Sequence, residues 1–335
     1  EVTDLPNSFK GIYSALHRFD LRMALATSDN NSLQNLNALL DLLHLIGGDD
    51  QRRGDALRQL ICSFDDTLCN SLAGIGASLI GGVIDDIVSE SNPSLLLTLQ
   101  GLSELVGMLE DFRVLGKMEF YKNAADVDGW IRENETRWEK LRLTWRGVQR
   151  DFVIGDLTSV TTDPDGRQRI ISSFFDGYMN GRTMEIADHD LDIRLGIILL
   201  GIAEYWVLPE IVGLAPPVSI GQVLEEFLPC ARIDATVNIT GFCRDDIAPA
   251  LATIIRDQIS NLQISTNGLT LSGTTIPVDT DGDLSIDNLT SGVWEGAFSE
   301  TNRFFGCFNA CKCVDATCSC QPSDCTVPTS LNPNP

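Results

Sequence analysis

Three histidines are all that 335 residues contain, and that scarcity sets the first boundary on function. Hydrolytic zinc sites draw on histidine, and no His-Glu-x-x-His pair is present; Gly-x-Ser-x-Gly, the phosphate-loop signature and the Rossmann glycine fingerprint are missing as well. Basic side chains are also scarce: 24 Lys and Arg stand against 47 Asp and Glu, for a net charge of −23. A surface that negative repels phosphate backbones and anionic bilayers, so nucleic acid is excluded as a partner. No apolar run reaches the length of a membrane span; the longest, 195–203, is preceded by Arg194 and stopped by Glu204. Neither a methionine nor a leader-like stretch precedes Glu1, which reads as the start of a mature, processed chain.

What the chain does have is carboxylates in a pattern. Asp279, Asp281 and Asp283 occupy every second position, and Asp287 follows an apolar Ile286. Alternate acidic residues suit a loop wrapping a hard cation, because the intervening side chains point away. The stretch resembles the EF-hand loop, including the short dockerin-like versions of extracellular proteins. The resemblance implies that Asp279, Asp281 and Asp283 offer side-chain oxygens, Ser285 its carbonyl, and Asp287 a direct or water-mediated contact to calcium. Leu284 stands where that family has a turn glycine, and Thr290 where it has a bidentate glutamate. The second departure implies weak binding, on the order of 10⁻⁴ to 10⁻³ M. An Asp-rich surface turn without an ion is the competing reading.

Ten cysteines form an even set: Cys62, Cys69, Cys230, Cys243, Cys307, Cys311, Cys313, Cys318, Cys320 and Cys325. The last six are spaced Cys-x3-Cys-x-Cys-x4-Cys-x-Cys-x4-Cys, which admits a metallothionein-like thiolate cluster or three disulfides knitting a small subdomain. Disulfides are the expectation, with connectivity open. Cys62 and Cys69 would lie about 10 Å apart on a straight helix, too far to bond, whereas Cys230 and Cys243 can close a short loop. Sequons stand at Asn30, Asn134, Asn238 and Asn288. Together these features predict a secreted, extracellular glycoprotein.

Periodicity reads as mainly α: a multi-helix domain at 1–228, with short strands near 153–186, then an α+β calcium-binding region at 229–306 and a cysteine-rich tail at 307–335. Ala15, Leu16, Phe19, Met23 and the stripe Leu33, Leu36, Leu40 and Leu43 recur at helical spacing. The segment near 9–46 resembles a single TPR hairpin. Helices are also expected near 52–70, 72–89, 94–111, 125–150, 189–207, 219–228 and 246–262, and strands at 231–239 and 262–276. The 189–207 helix, apolar on nearly every face, is expected at the centre of the core. In the 125–150 helix, Trp138 and Trp145 would share one face, and Arg142 and Arg146 another. These four are candidate interface residues for an acidic patch on a second copy, or else a core-facing Trp stripe with solvated arginines. Asp188 and Asp190 flank His189 where the central helix would begin, and they read as capping residues. His17 and His44 have no partner visible in sequence.

The function expected from this set is non-enzymatic: a calcium-stabilised structural subunit of an extracellular filament or matrix. Its partners would be other copies of itself, joined through termini that have little to bury. A secreted module binding a peptide, glycan or surface partner is the first alternative, and a carboxylate-based hydrolase the second.

Overall fold

A computed structural model describes residues 9–21, 93–121, 130–160, 170–228, 230–238, 240–260, 269–297, 303–315 and 318–328. It corrects the mainly α expectation, and with it the description of the protein as helical. The protein is mainly β, with 44% strand and 33% helix, and is built on a closed eight-stranded antiparallel barrel. The strands are β1 (Gly11–Phe19), β2 (Phe112–Phe120), β3 (Trp130–Trp145), β4 (Val148–Val153), β5 (Ile170–Ile171), β6 (Phe175–Asn180), β7 (Thr183–Leu191), β8 (Leu269–Val278), β9 (Asn288–Ala297) and β10 (Arg303–Lys312). Around the barrel they run β2-β1-β10-β9-β8-β7-β6-β3, and β3 closes the ring by pairing with β2. β4 and β5 add to the far edge of β3, outside the ring. The sheet therefore draws strands from both sides of the boundary expected at 228/229.

Strand β1 shows why the helical reading fails. Tyr13, Ala15, His17 and Phe19 alternate and are buried, as a half-covered strand requires. Leu16 is buried as well, and its coincidence with Ala15 and Phe19 imitates a helical stripe. The expected 125–150 helix is strands β3 and β4 for the same reason, compounded by irregular pairing. Lys140 opposes Leu115 while Trp138 opposes Gly116, which leaves Glu139 as an extra bulged residue. Trp138 lies before the bulge, and Leu141, Leu143 and Trp145 after it; all four are buried. The bulge puts residues seven apart on one face, a spacing that a regular strand would send to opposite faces. The 189–207 helix begins later than expected. Residues 183–191 are β7, so Asp188, His189 and Asp190 lie on a strand and cap no helix. The stretch expected to be a strand at 231–239 is helical from Cys230 to Val237. Of the expected hairpin at 9–46, residues 11–19 are strand and 22–46 lie outside the described residues, as do the expected helices at 52–70 and 72–89.

Seven helices are described: α1 (Pro93–Ser103), α2 (Ile154–Val160), α3 (Leu195–Ile202), α4 (Leu208–Val212), α5 (Ile220–Phe227), α6 (Cys230–Val237) and α7 (Ala248–Ser260). A π-helical segment, Ala203–Val207, joins α3 to α4 without a break. Contrary to the sequence expectation that Glu204 ends the apolar run, the helical stretch 195–212 is by length and composition apolar and long enough to cross a membrane, but 72% of it is buried, as a core helix is. Ser219 starts α5 with a reciprocal capping box to Gln222. The helices pack on one another and on α2, which follows β4. Trp206 meets Trp145 and Phe152 at 5.7 and 5.3 Å between ring centroids, tying this layer to the barrel.

The barrel is filled rather than hollow. Phe19, Trp138, Phe175, Trp294, Phe304 and Phe308 all lie inside it, each at most 2% exposed. Two glycines make this possible. A Cβ on Gly296 would stand 2.0 Å from the Phe304 ring, and one on Gly292 2.4 Å from Phe308. The connection from β7 into α3 closes one mouth, where Ile193 and Leu195 meet Phe19, Phe112 and Leu269. Phe9, Tyr13, Phe120 and the fully buried Ile286 close the other.

Candidate functional site

Three constellations carry chemistry, and the first is the β8–β9 loop. Ile286 holds it down: the side chain plugs the barrel mouth, and its carbonyl accepts the Tyr13 hydroxyl proton at 2.8 Å. With the anchor fixed, the polar part of the loop arches outward. Carboxylate oxygens of Asp279, Asp281 and Asp287 lie within 4.8 Å of one another. Asp283, expected beside them, is not part of this group; the Ser285 hydroxyl meets the Lys312 ammonium, which leaves open the role expected of its carbonyl. Leu284, in the glycine position of the EF-hand comparison, has a left-handed φ of 69°. The backbone thus adopts the turn that a glycine would make without strain.

Electrostatics differ among the three acids. On Asp279, slight desolvation acts upward, but N–H groups of Gly282, Leu284 and Asp281 donate to the carboxylate and hold its pKa below the usual range. Asp281 is the opposite case. The Asp283 N–H bond acts downward on it, yet desolvation and the charges of Asp283, Asp287 and Asp279 prevail and push it up. Asp287 accepts from both the N–H and the hydroxyl of Thr280. The group can therefore attract a cation through Asp281, whose charge is the least satisfied of the three. A set of carboxylate oxygens like this could hold a hard cation.

The second constellation is the tail. Inward positions of β10 are Phe304, Gly306, Phe308 and Ala310, which leaves Cys307, Asn309 and Cys311 facing outward. Disulfides join Cys307 to Cys325, Cys311 to Cys320 and Cys313 to Cys318, so the tail folds back along the outer face of β10 in a nested ladder. Between the first two rungs the Asn309 amide donates to Ser323 and to the Asp324 carbonyl. Arg18 donates to the Cys325 carbonyl at 3.1 Å, and Arg113 pairs with Asp324 at 3.0 Å. Arg18, Arg113 and Arg142 stand side by side across β1, β2 and β3, with Asp111 shared between the first two and Asp151 on the third. The sulfurs of Cys313, Cys318 and Cys320 are close together, but each is in a disulfide, so the thiolate-cluster alternative has no free ligand here. Cys230 bonds Cys243, linking α6 to the π-helical segment Cys243–Ile247 that leads into α7. Cys62 and Cys69 lie outside the described residues. These four pairs are consistent with an extracellular protein.

The third constellation, at the centre of the barrel, was not singled out by sequence reasoning. His17 and His189, fully buried on β1 and β7, flank Trp294 with ring centroids 5.8 and 5.6 Å away. The Trp294 indole N–H donates to His17 Nδ1 at 3.0 Å. Burial, helped by the nearby His189, pushes the His17 pKa down to about 3. Burial also lowers His189, against the upward effect of its hydrogen bond to the Ala187 carbonyl and the charges of Asp190 and Asp188. Four polar atoms in this region have no hydrogen-bond partner among the described residues: His17 Nε2, His189 Nε2, Trp138 Nε1 and Asn134 Oδ1. Each such group costs about 1–3 kcal/mol if left dry.

The other expected sites are dispersed. Trp138 and Trp145 are core residues, so they offer no docking surface. Arg142 pairs outside with Asp151, and Arg146, in the β3–β4 turn, forms a bidentate pair with Glu104 over the Trp145 ring. The side-chain nitrogen of Asn134, which a glycan would occupy, is buried and donates to the Ile131 and Phe175 carbonyls; this fold does not admit glycosylation there. Asn238 is exposed, Asn288 is partly buried at the start of β9, and Asn30 is outside the described residues. Glu204, raised by burial against the lowering effects of Arg256 and an Ile220 N–H bond, lies 3.6 Å from Arg256 rather than beside a second acid.

The fold and its sites define a class: a solid-cored antiparallel barrel, plugged at both mouths and strapped by a disulfide-bonded tail. No protein-family model, curated protein or solved structure matches this chain significantly.

Proposed function

We propose that the chain is a secreted, non-enzymatic structural protein, a subunit of an extracellular filament or matrix, whose barrel is braced by calcium at the loop of Asp279, Asp281 and Asp287. The observation that carries this reading is the nested disulfide ladder clamping the tail to a barrel whose interior is filled with side chains. Such a build suits mechanical and proteolytic durability and leaves the barrel no room for a substrate. The net charge of −23 supports the calcium part, since divalent cations offset the repulsion between like-charged copies.

The test is electron microscopy of the oxidised protein, with and without a calcium chelator, beside its thermal unfolding in both conditions. Ordered assemblies that loosen on chelation, with a lower melting temperature, are expected. Dispersed monomers with an unchanged melting temperature overturn the reading.

A binding module is favoured by a separate observation. Phe174, 65% exposed, meets Tyr121 edge-on at 6.4 Å, with Ile171 exposed in the same region of sequence. Exposed aromatic pairs suit glycan or peptide faces. Retention on an oligosaccharide array that Phe174→Ala abolishes would move this reading ahead.

A further inference from the structure

We propose that the centre of the barrel is a hydration site, where internal water accepts protons from His17 Nε2–H and Trp138 Nε1–H and donates to His189 Nε2 and Asn134 Oδ1. The argument begins with tautomers. An indole N–H can only donate, so His17 Nδ1, which receives Trp294, carries no hydrogen and the His17 proton is on Nε2. A backbone carbonyl can only accept, so His189 Nδ1, facing Ala187 at 3.1 Å, holds that ring's proton and leaves Nε2 with a lone pair. The Asn134 amide nitrogen is committed to two carbonyls, which fixes Oδ1 as the free acceptor. The four groups without protein partners are therefore two donors and two acceptors.

Water has the complementary set: two lone pairs and two protons. A buried water commonly makes about three such bonds to otherwise unsatisfied groups. The groups come from opposite walls of one barrel and meet around Trp294, which lies 5.8 Å from His17 and 5.6 Å from His189 between ring centroids; His17 is 6.0 Å from Trp138, and His189 stacks on Phe175 at 4.6 Å. Phe175 is also the residue whose carbonyl holds Asn134.

The same logic excludes the more obvious ligand for two buried imidazoles. A zinc or copper ion on His17 Nε2 would need the lone pair there. The ring proton would then move to Nδ1 and point at the Trp294 N–H. Trp294 thus sets the site for a neutral hydrogen-bonding molecule and against a metal.

Long-range proton–nitrogen NMR on the intact, oxidised protein tests this directly. The expected result is a proton on His17 Nε2 and on His189 Nδ1, with magnetisation transfer from water to the His17 Nε2–H and Trp138 indole signals. The transfer should have the sign of a water that tumbles with the protein. A His17 ring protonated at Nδ1 overturns the proposal, and so does the absence of transfer at both N–H groups when surface indoles show it. Adding one equivalent of zinc is expected to leave both ring signals unchanged; loss of the His17 Nε2–H signal on adding zinc also overturns it.

Discussion

Trp294 and His17, 277 residues apart in sequence, are joined at 3.0 Å by an indole-to-imidazole hydrogen bond inside the barrel. Burial, with the nearby His189, keeps His17 neutral, with a folded pKa of about 3 against an ordinary 6.5. A folded value below the unfolded one gives stability that is complete above about pH 6.5 and is lost as pH falls toward 3. Burial lowers His189 in the same direction. His17 therefore removes about 1.4 kcal/mol of stability per pH unit well below its unfolded pKa, and His189 adds to the loss. Glu204, raised by burial, acts with the opposite sign, its contribution growing as pH falls toward the ordinary carboxyl value. Urea titrations at pH 7, 6 and 5, followed by tryptophan fluorescence, should show a falling midpoint. A midpoint constant across that range refutes the assignment.

Gly296→Ala should destabilise the barrel by about 1–3 kcal/mol, the range for an overpacked core. The added methyl would meet the Phe304 ring at 2.0 Å, and neither strand of the β9–β10 pair is free to retreat within a closed ring. Thermal melting checks this; a melting temperature equal to that of the unaltered protein would contradict the packing described.

Leu284→Gly should be stabilising, by about 0.5–1 kcal/mol. Leucine at φ 69° carries left-handed strain of roughly 1–2 kcal/mol, and the extra flexibility of glycine in the unfolded chain returns part of that. Leu284 is 49% exposed, so little packing is lost. Urea unfolding of the two proteins in the presence of a chelator separates this effect from any ion.

Replacing both Cys307 and Cys325 by serine should cost about 3 kcal/mol, because the bond closes 18 residues of chain. The barrel's own hydrogen bonds do not pass through this bond. The tail should therefore become open to limited proteolysis in its last residues while the far-ultraviolet dichroism stays the same. A tail that remains resistant would mean that Arg18, Arg113 and Asn309 hold it unaided.

Much of the local chemistry was legible in the sequence, and most of the architecture was not. The stretch 94–111 reads as helix and is helical, though its second half is a tighter 3-10 turn; the helices expected near 219–228 and 246–262 and a strand after residue 262 also form. Strand pairing escapes a one-dimensional reading. Trp138 and Trp145 share one face of β3 only because Glu139 bulges out, and a bulge shows itself only against a partner strand. Asn134 reads as a glycan acceptor from three letters, whereas its burial depends on Phe175, which pairs with it from another strand. In the acidic loop, the spacing brought Asp279, Asp281 and Asp287 together correctly as neighbours. It gave no hint of Lys312, which arrives from β10 to take the Ser285 hydroxyl. His17 looked solitary and His189 read as part of a helix-capping cluster, because the surroundings of both are assembled from distant strands.

Strand β1 hydrogen-bonds on one side to β2 and on the other to β10. During synthesis its first partner emerges about a hundred residues later, and its second nearly three hundred residues later. Loop closure over that span makes folding slow, and until then β1 presents an open edge rich in apolar side chains.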